Sequence, residues 1–256
     1  MSNLVEYRQP ESAHWYAEDG SPRHDADLRI ARKERLFPSV TSVLAIKEKP
    51  QLTNWKIGQM VAQALTMERR PGENDYLFIQ RVKEADEAER AKAPDLGTVV
   101  HAEIARYITT HERTKMDIDI EPVFAWISEH VMVPEKCEVR FVSSFGYGGC
   151  IDYIGVVDGR PAIIDWKTQA VKKSPGFYDE FCWQLAAYSR AEKAYRQYDL
   201  YSVIIDTAHK GCYPQKWDAG DVQRGWTGFQ GLLEAWFADR KYDPRGKYDA
   251  NGEIPF

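Results

Sequence analysis

No Cys-x-x-Cys pair occurs in this sequence: Cys137, Cys150, Cys182 and Cys212 stand singly and far apart. Neither a zinc ribbon nor a disulfide framework is signalled, and the clustered spacing of an iron–sulfur site is missing, so reduced thiols are expected. No run approaches the roughly 18 consecutive apolar residues of a membrane-crossing helix, and Met1 to Pro10 lacks the apolar centre of a signal peptide. No membrane is expected among the partners, and a cytoplasmic location is. A positive charge balance is lacking as well. With a formal net charge of -5, the molecule as a whole repels a polyanion, so contact with nucleic acid has to rest on a local basic face or on metal ions. Internal repeats and low-complexity tracts are absent, which excludes repeat architectures.

What is present is the material of a core. Hydrophobic residues make up 43% of 256, with 8 Trp and 14 Tyr, enough for one folded domain spanning 1–256. Residues 1–37 carry no sustained period and read as an irregular arm. Residues 38–136 read as mainly helical. Pro38-Ser39-Val40-Thr41-Ser42-Val43-Leu44 places hydroxyls before an apolar segment, Thr53 or Asn54 is a candidate cap, and Tyr76 to Ala93 has the spacing of a solvated helix. A further helix opens at Gly97, with Val100, Ile104 and Tyr107 or Ile108 as its buried stripe and His101 beside it. From Cys137 the period changes to two, giving strands up to Lys167, then a helix over Asp179 to Arg196 and a strand over Leu200 to Asp206, so that 137–210 is a sheet core with one helix. Residues 211–256 hold a last helix, from about Asp218 to Asp239, and a tail. The expected class is α/β (α+β), a central mixed β-sheet flanked by helices.

Asp158-Gly159 between two apolar runs is a two-residue hairpin signal, because both central positions of a type I′ turn need positive φ. With Val157 opposite Arg160, Asp152 falls opposite Asp165, their Cβ atoms roughly 4.5 to 5.5 Å apart. Lys167, two residues on, shares that face, while Trp166 points the other way. Like charges placed across a sheet destabilise it, so a cation such as Mg²⁺ or Mn²⁺ between the carboxylates fits. A solvated surface hairpin with Lys167 offsetting the Asp pair fits the same arithmetic, and Pro161 is a position where the register could shift. Gln184 and Tyr188, at i and i+4, share a helix face and reach either substrate or ordinary packing partners. Thr168 serves a phosphate or the sheet. Lys172, Lys173, Arg69, Arg70, Trp55 and Trp183 are candidates for strand contact.

Gly97-x-x-x-His101, Gly149-x-x-Asp152, Asp165-x-Lys167-Thr168 and Gln184-x-x-x-Tyr188, in this order over about residues 95 to 190, resemble the PD-(D/E)XK nuclease superfamily, in its RecB-type and phage exonuclease-like branch. The resemblance implies a restriction-endonuclease-like core and a DNA nuclease of exonuclease type working in a phage or bacterial cytosol. It implies Mg²⁺ or Mn²⁺ held by His101, Asp152, Asp165 and the main-chain carbonyl of Trp166. It also implies Asp152, Asp165 and Lys167 as the catalytic set, with Thr168, Gln184 and Tyr188 towards the substrate. Glu138 matches an additional acidic position of the family only loosely and stays outside the expected ligand set. DNA, single- or double-stranded, is the expected partner, with a second copy or a replication or recombination protein as further possibilities. A catalytically silent DNA-binding or scaffold protein and a hydrolase of small phosphate esters are the competing expectations.

Overall fold

The computed structural model describes residues 14–48, 50–92, 96–130, 132–191 and 197–246. In chain order these hold β1 (Trp15–Tyr16), β2 (Pro22–Arg23), α1 (Leu28–Glu34), β3 (Phe37–Pro38), α2 (Val40–Leu44), α3 (Pro50–Thr66), α4 (Asp75–Lys92), α5 (Leu96–Thr110) and α6 (Glu121–Glu129). The second half holds β4 (Met132–Ser143), β5 (Tyr147–Val157), β6 (Arg160–Gln169), α7 (Asp179–Ala191), β7 (Asp199–Asp206), β8 (Gly211–Lys216) and α8 (Ala219–Arg240). The chain clusters into two compact units, Met1–Ile46 with Gly97–Phe256, and Lys47–Leu96. In the smaller unit α3 packs on α4, and Arg81 both pairs with Glu73 and lies over the Phe78 ring. Helix α3 begins at Pro50, ahead of the expected caps Thr53 and Asn54, because proline suits a first helical turn whose N–H groups have no partner anyway.

The larger unit is built on a mixed five-stranded sheet of order β4-β5-β6-β7-β8, with β6 and β7 parallel and the other pairs antiparallel. The fold is mixed α/β, as expected. A parallel pair needs a crossover, and α7 supplies it. Asp158 and Gly159 take φ of 49° and 80°, so the type I′ turn forms and Val157 pairs with Arg160 in the expected register. Pro161 does not disturb it, since the β7 ladder begins only at Ala162 and the strand has a single neighbour where the proline sits.

Two elements depart from expectation. Residues 14–37 are not an irregular arm: β1 is the middle of a small sheet β2-β1-β3, and Trp15 packs edge-on against Trp236 and Tyr242, with centroids 5.7 and 6.1 Å away. Three buried anchors, Trp15, Tyr16 and Leu36, do this without any sequence period. Strand β8 lies in the stretch expected to hold only a helix and tail. It contains Pro214, which argues against a strand except at a sheet edge, and β8 is an edge. Residues 192–196 of the expected helix over Asp179 to Arg196, residues 247–256 of the expected tail, and Ala93 lie outside the described residues.

Helix capping follows the side chains available. Ser39 Oγ accepts from the Ser42 N–H at 2.9 Å to start α2, and Asp218 Oδ1 accepts from the Asp221 N–H at 2.7 Å to start α8. Helices α7 and α8 pack closely because Gly225 and Gly228 leave room for Trp183: a Cβ at Gly228 would stand 2.6 Å from the indole. Trp183 is therefore a packing residue between these helices. Among the described residues no helix is long and apolar enough to cross a membrane.

Candidate metal centre

Both inter-strand ladders break beside Asp152. Between β5 and β6 the pairs run from Val157 with Arg160 to Tyr153 with Ile164 and stop one pair before Asp152 and Asp165. The Trp166 N–H is turned aside and donates instead to Asp152 Oδ2 at 2.8 Å. Between β4 and β5, Cys137 pairs with Tyr153 and Val139 with Ile151, and the intervening position sets Glu138 against Asp152. Glu138 takes a left-handed φ of 50°, a conformation that costs a non-glycine residue about 1 kcal/mol. Three consecutive strands thus each bring one acid, Glu138, Asp152 and Asp165, to a common place.

Helix α5 adds the imidazole. Its buried stripe is Val100, Ile104 and Ile108, which turns His101 towards the sheet, with Nδ1 3.5 Å from Asp152 Oδ2. One ligand atom from each of His101, Glu138 and Asp152 lies within 4.8 Å of the others. Glu138 is 3% exposed. Its Oε2 accepts from the Cys150 thiol at 3.5 Å, and its buried Oε1 has no hydrogen-bond partner among the described residues. Leaving a buried carboxylate oxygen unmatched is costly, and either a proton or a bound cation relieves that cost. Glu138 is the residue that the sequence expectation omitted.

Asp165 is engaged differently. Lys167 Nζ lies 2.8 Å from its Oδ2 and donates to Gln184 Oε1 at 2.9 Å. The Gln184 amide N–H₂ donates to Asp165 Oδ1 at 3.0 Å and to the Tyr188 hydroxyl at 2.6 Å. Lysine can only donate, so its contact fixes which way the glutamine amide faces. The structure thus brings together Asp152, Asp165, Lys167, His101, Gln184 and Tyr188. Trp166 contributes its N–H to Asp152 and its ring to Trp126, centroids 5.9 Å apart. Thr168 falls on the Trp166 face of β6 by strand alternation, away from Lys167. Lys172 and Lys173 are exposed just beyond β6.

The electrostatics follow from burying like charges. Burial pushes the Glu138 carboxyl up, the Asp152 charge adds to this, and it reaches about 8. Burial also lifts Asp165, which settles at about 6 because Lys167 opposes the rise while Asp152 favours it. For His101, burial disfavours the charged ring, but Asp152, Glu138 and Asp165 outweigh it and carry the imidazole up to about 9. Burial acts against the Asp152 carboxylate too, yet His101, Lys167 and the Trp166 N–H hold it below the usual range. The cluster is one of acids competing for too little positive charge.

No family model matches the chain, and no curated protein does. Among solved structures, one described as the crystal structure of SSO0001 aligns at 14% identity and a TM-score of 0.31, covering 79% of this chain and 97% of that one. A likeness that distant defines neither fold nor function for this protein.

Proposed function

We propose that this protein is a divalent-metal-dependent DNA nuclease, a phosphodiester hydrolase of exonuclease type, in keeping with its resemblance to the PD-(D/E)XK nucleases. The observation that carries the reading is the buried oxygen of Glu138, without a hydrogen-bond partner among the described residues, beside His101 and Asp152 and adjoining a lysine held by Asp165 and Gln184. The carboxylate oxygens of Glu138 and Asp152 suit Mg²⁺ or Mn²⁺, and the softer imidazole nitrogen of His101 favours Mn²⁺ of the two. His101, Glu138 and Asp152 would hold it, with Asp165 and the Trp166 carbonyl as the further ligands that the resemblance implies. When bound, the ion supplies Lewis-acid polarisation of a phosphate and acidification of water.

The chain's own groups do the rest. Lys167 is fixed at two points, so its ammonium is placed before substrate arrives and can stabilise negative charge that develops on a phosphate oxygen. Gln184 holds the Asp165 carboxylate and the Lys167 ammonium in one orientation, and the buried Tyr188 hydroxyl locks Gln184 in turn. Net charge of -5 means that the cation and Lys167 must offset repulsion of the polyanion locally.

The test is incubation of end-labelled single- and double-stranded DNA with the protein in Mg²⁺, Mn²⁺ or EDTA. Metal-dependent release of nucleotides is expected, abolished by EDTA and reduced at least ~100-fold in Asp165→Ala, in the range seen on removing a preorganised electrostatic group. Absence of cleavage under every condition, or full Mg²⁺-dependent cleavage by Asp165→Ala, would overturn it.

A further inference from the structure

One face of α7 runs from the core to solvent through the candidate site. Tyr188 is 4% exposed and Gln184 7%. Phe181 comes next on that face and is half-buried, and Tyr178, just before the helix, is 44% exposed. These positions recur at helical spacing, so the line that ends on the two aromatic rings begins on the residues that hold Asp165 and Lys167. Lys167 Nζ sits 5.3 Å from the centre of the Phe181 ring, within reach of a cation–π contact. Phe181 and Tyr178 meet edge to face with centroids 5.4 Å apart.

Tyr178 is exposed yet supported. Its hydroxyl end lies over Gly176, where an added Cβ would stand 2.9 Å from the oxygen. Gly176 is itself clamped by Gln169, whose Nε2 donates to the Gly176 carbonyl at 2.9 Å and whose Oε1 accepts from the Gly176 N–H at 3.2 Å. That clamp closes the turn carrying Lys172 and Lys173. The ring is thus prearranged at small entropic cost, against the Phe181 ring that Lys167 faces and a few residues along the chain from the exposed Lys172 and Lys173.

From this geometry we infer that Tyr178 and Phe181 form a stacking platform for an unpaired base, so that the substrate entering the site is a single DNA strand. The inference rests on the nuclease reading. A base has a π-face whatever its sequence, and stacking compensates for weak electrostatics in an acidic protein. In a duplex the faces of the bases are already covered by their neighbours, whereas an unpaired strand offers them. Asp179 and Glu180, in the first turn of α7, disfavour a phosphate at the helix end, which leaves the backbone to Lys172 and Lys173 and the bases to the rings.

The test is fluorescence anisotropy of labelled 12-mer single-stranded and blunt duplex DNA, in EDTA so that binding is read apart from cleavage, with parallel cleavage in Mn²⁺. Tyr178→Ala should raise Kd for the single strand roughly 5- to 150-fold, the range of one lost base stack. Tyr178→Trp should bind it within about twofold of the wild type, because any large ring restores the π-face. Duplex binding should change in neither. Wild-type binding of the single strand by Tyr178→Ala, in a protein that cleaves DNA, would overturn the platform and leave the nuclease reading intact; so would equal loss on single strand and duplex. A wild type that neither binds nor cleaves would overturn the nuclease reading, and the platform with it.

Discussion

Without a cation, the folded protein holds a proton on Glu138 that the unfolded chain gives up near its ordinary value of 4.5, because burial and then Asp152 push the carboxyl up to about 8. A folded value above the unfolded one means that ionisation is penalised in the fold. The penalty is absent below about 4.5 and complete above about 8. His101 adds to the trend: raised from 6.5 to about 9, it contributes stability that is present below 6.5 and lost as pH rises through 9. In EDTA, therefore, the protein loses stability between pH 5 and 9. Replacing Glu138 by Gln keeps the shape and removes the charge. The shift for Glu138, from 4.5 to about 8, corresponds to on the order of 5 kcal/mol, or about 10–20 °C in Tm at this chain length. In EDTA at pH 8.5, Glu138→Gln is expected to melt higher than the wild type by that order, and at pH 5 the two should melt together. Mn²⁺ should reverse the ranking, since it stabilises the ionised cluster by mass action and the variant has lost one anionic ligand. Thermal unfolding followed by circular dichroism from pH 5 to 9, in EDTA and in Mn²⁺, reads all of this. A variant no more stable than the wild type at pH 8.5 in EDTA would show that ionised Glu138 does not strain the metal-free fold, and one stabilised by Mn²⁺ as much as the wild type would show that Glu138 is no ligand.

Gly228→Ala should lose ~1–3 kcal/mol by thermal melt, because its methyl would meet the Trp183 ring at 2.6 Å; Gly231→Ala on the same helix, with none of the described residues within 4 Å of the new Cβ, should gain ~0.5–1 kcal/mol. Tyr242→Phe should lower stability by ~1–2 kcal/mol in urea unfolding, since the buried hydroxyl shares its hydrogen between the Ala31 and Leu36 carbonyls at 3.0 and 2.7 Å; an unchanged midpoint would show that water replaces it. Lys167→Met should cut metal-dependent cleavage at least ~100-fold while Tm in Mn²⁺ stays near that of the wild type, and loss of Mn²⁺ stabilisation instead would assign Lys167 to folding of the site.

Legibility of this fold depended on how each register could be counted. Asp158-Gly159 admits one turn, so β5 and β6 align from it without ambiguity, and Asp152, Asp165 and Lys167 fall together by arithmetic. The turn before β5 is different, because Gly146, Gly148 and Gly149 offer several places to reverse. Only Gly146 takes a positive φ, 94°. Gly148 and Gly149 lie within the strand and are small for packing, since a Cβ at either would stand 3.0 Å from Tyr16 or Phe141. Counting from Ser143 opposite Tyr147 sets Glu138 against Asp152, the third carboxylate that motif order leaves out. The buried N-terminal segment was not legible in the same way: Trp15, Tyr16 and Leu36 are held by partners such as Trp236 and Tyr242, more than 200 residues away in sequence, and no local period records such contacts. A site built from three strands is therefore readable from sequence only when both turns between them are assigned. Between β4 and β5 it is the positive φ of Gly146, rather than the density of glycines, that marks the turn.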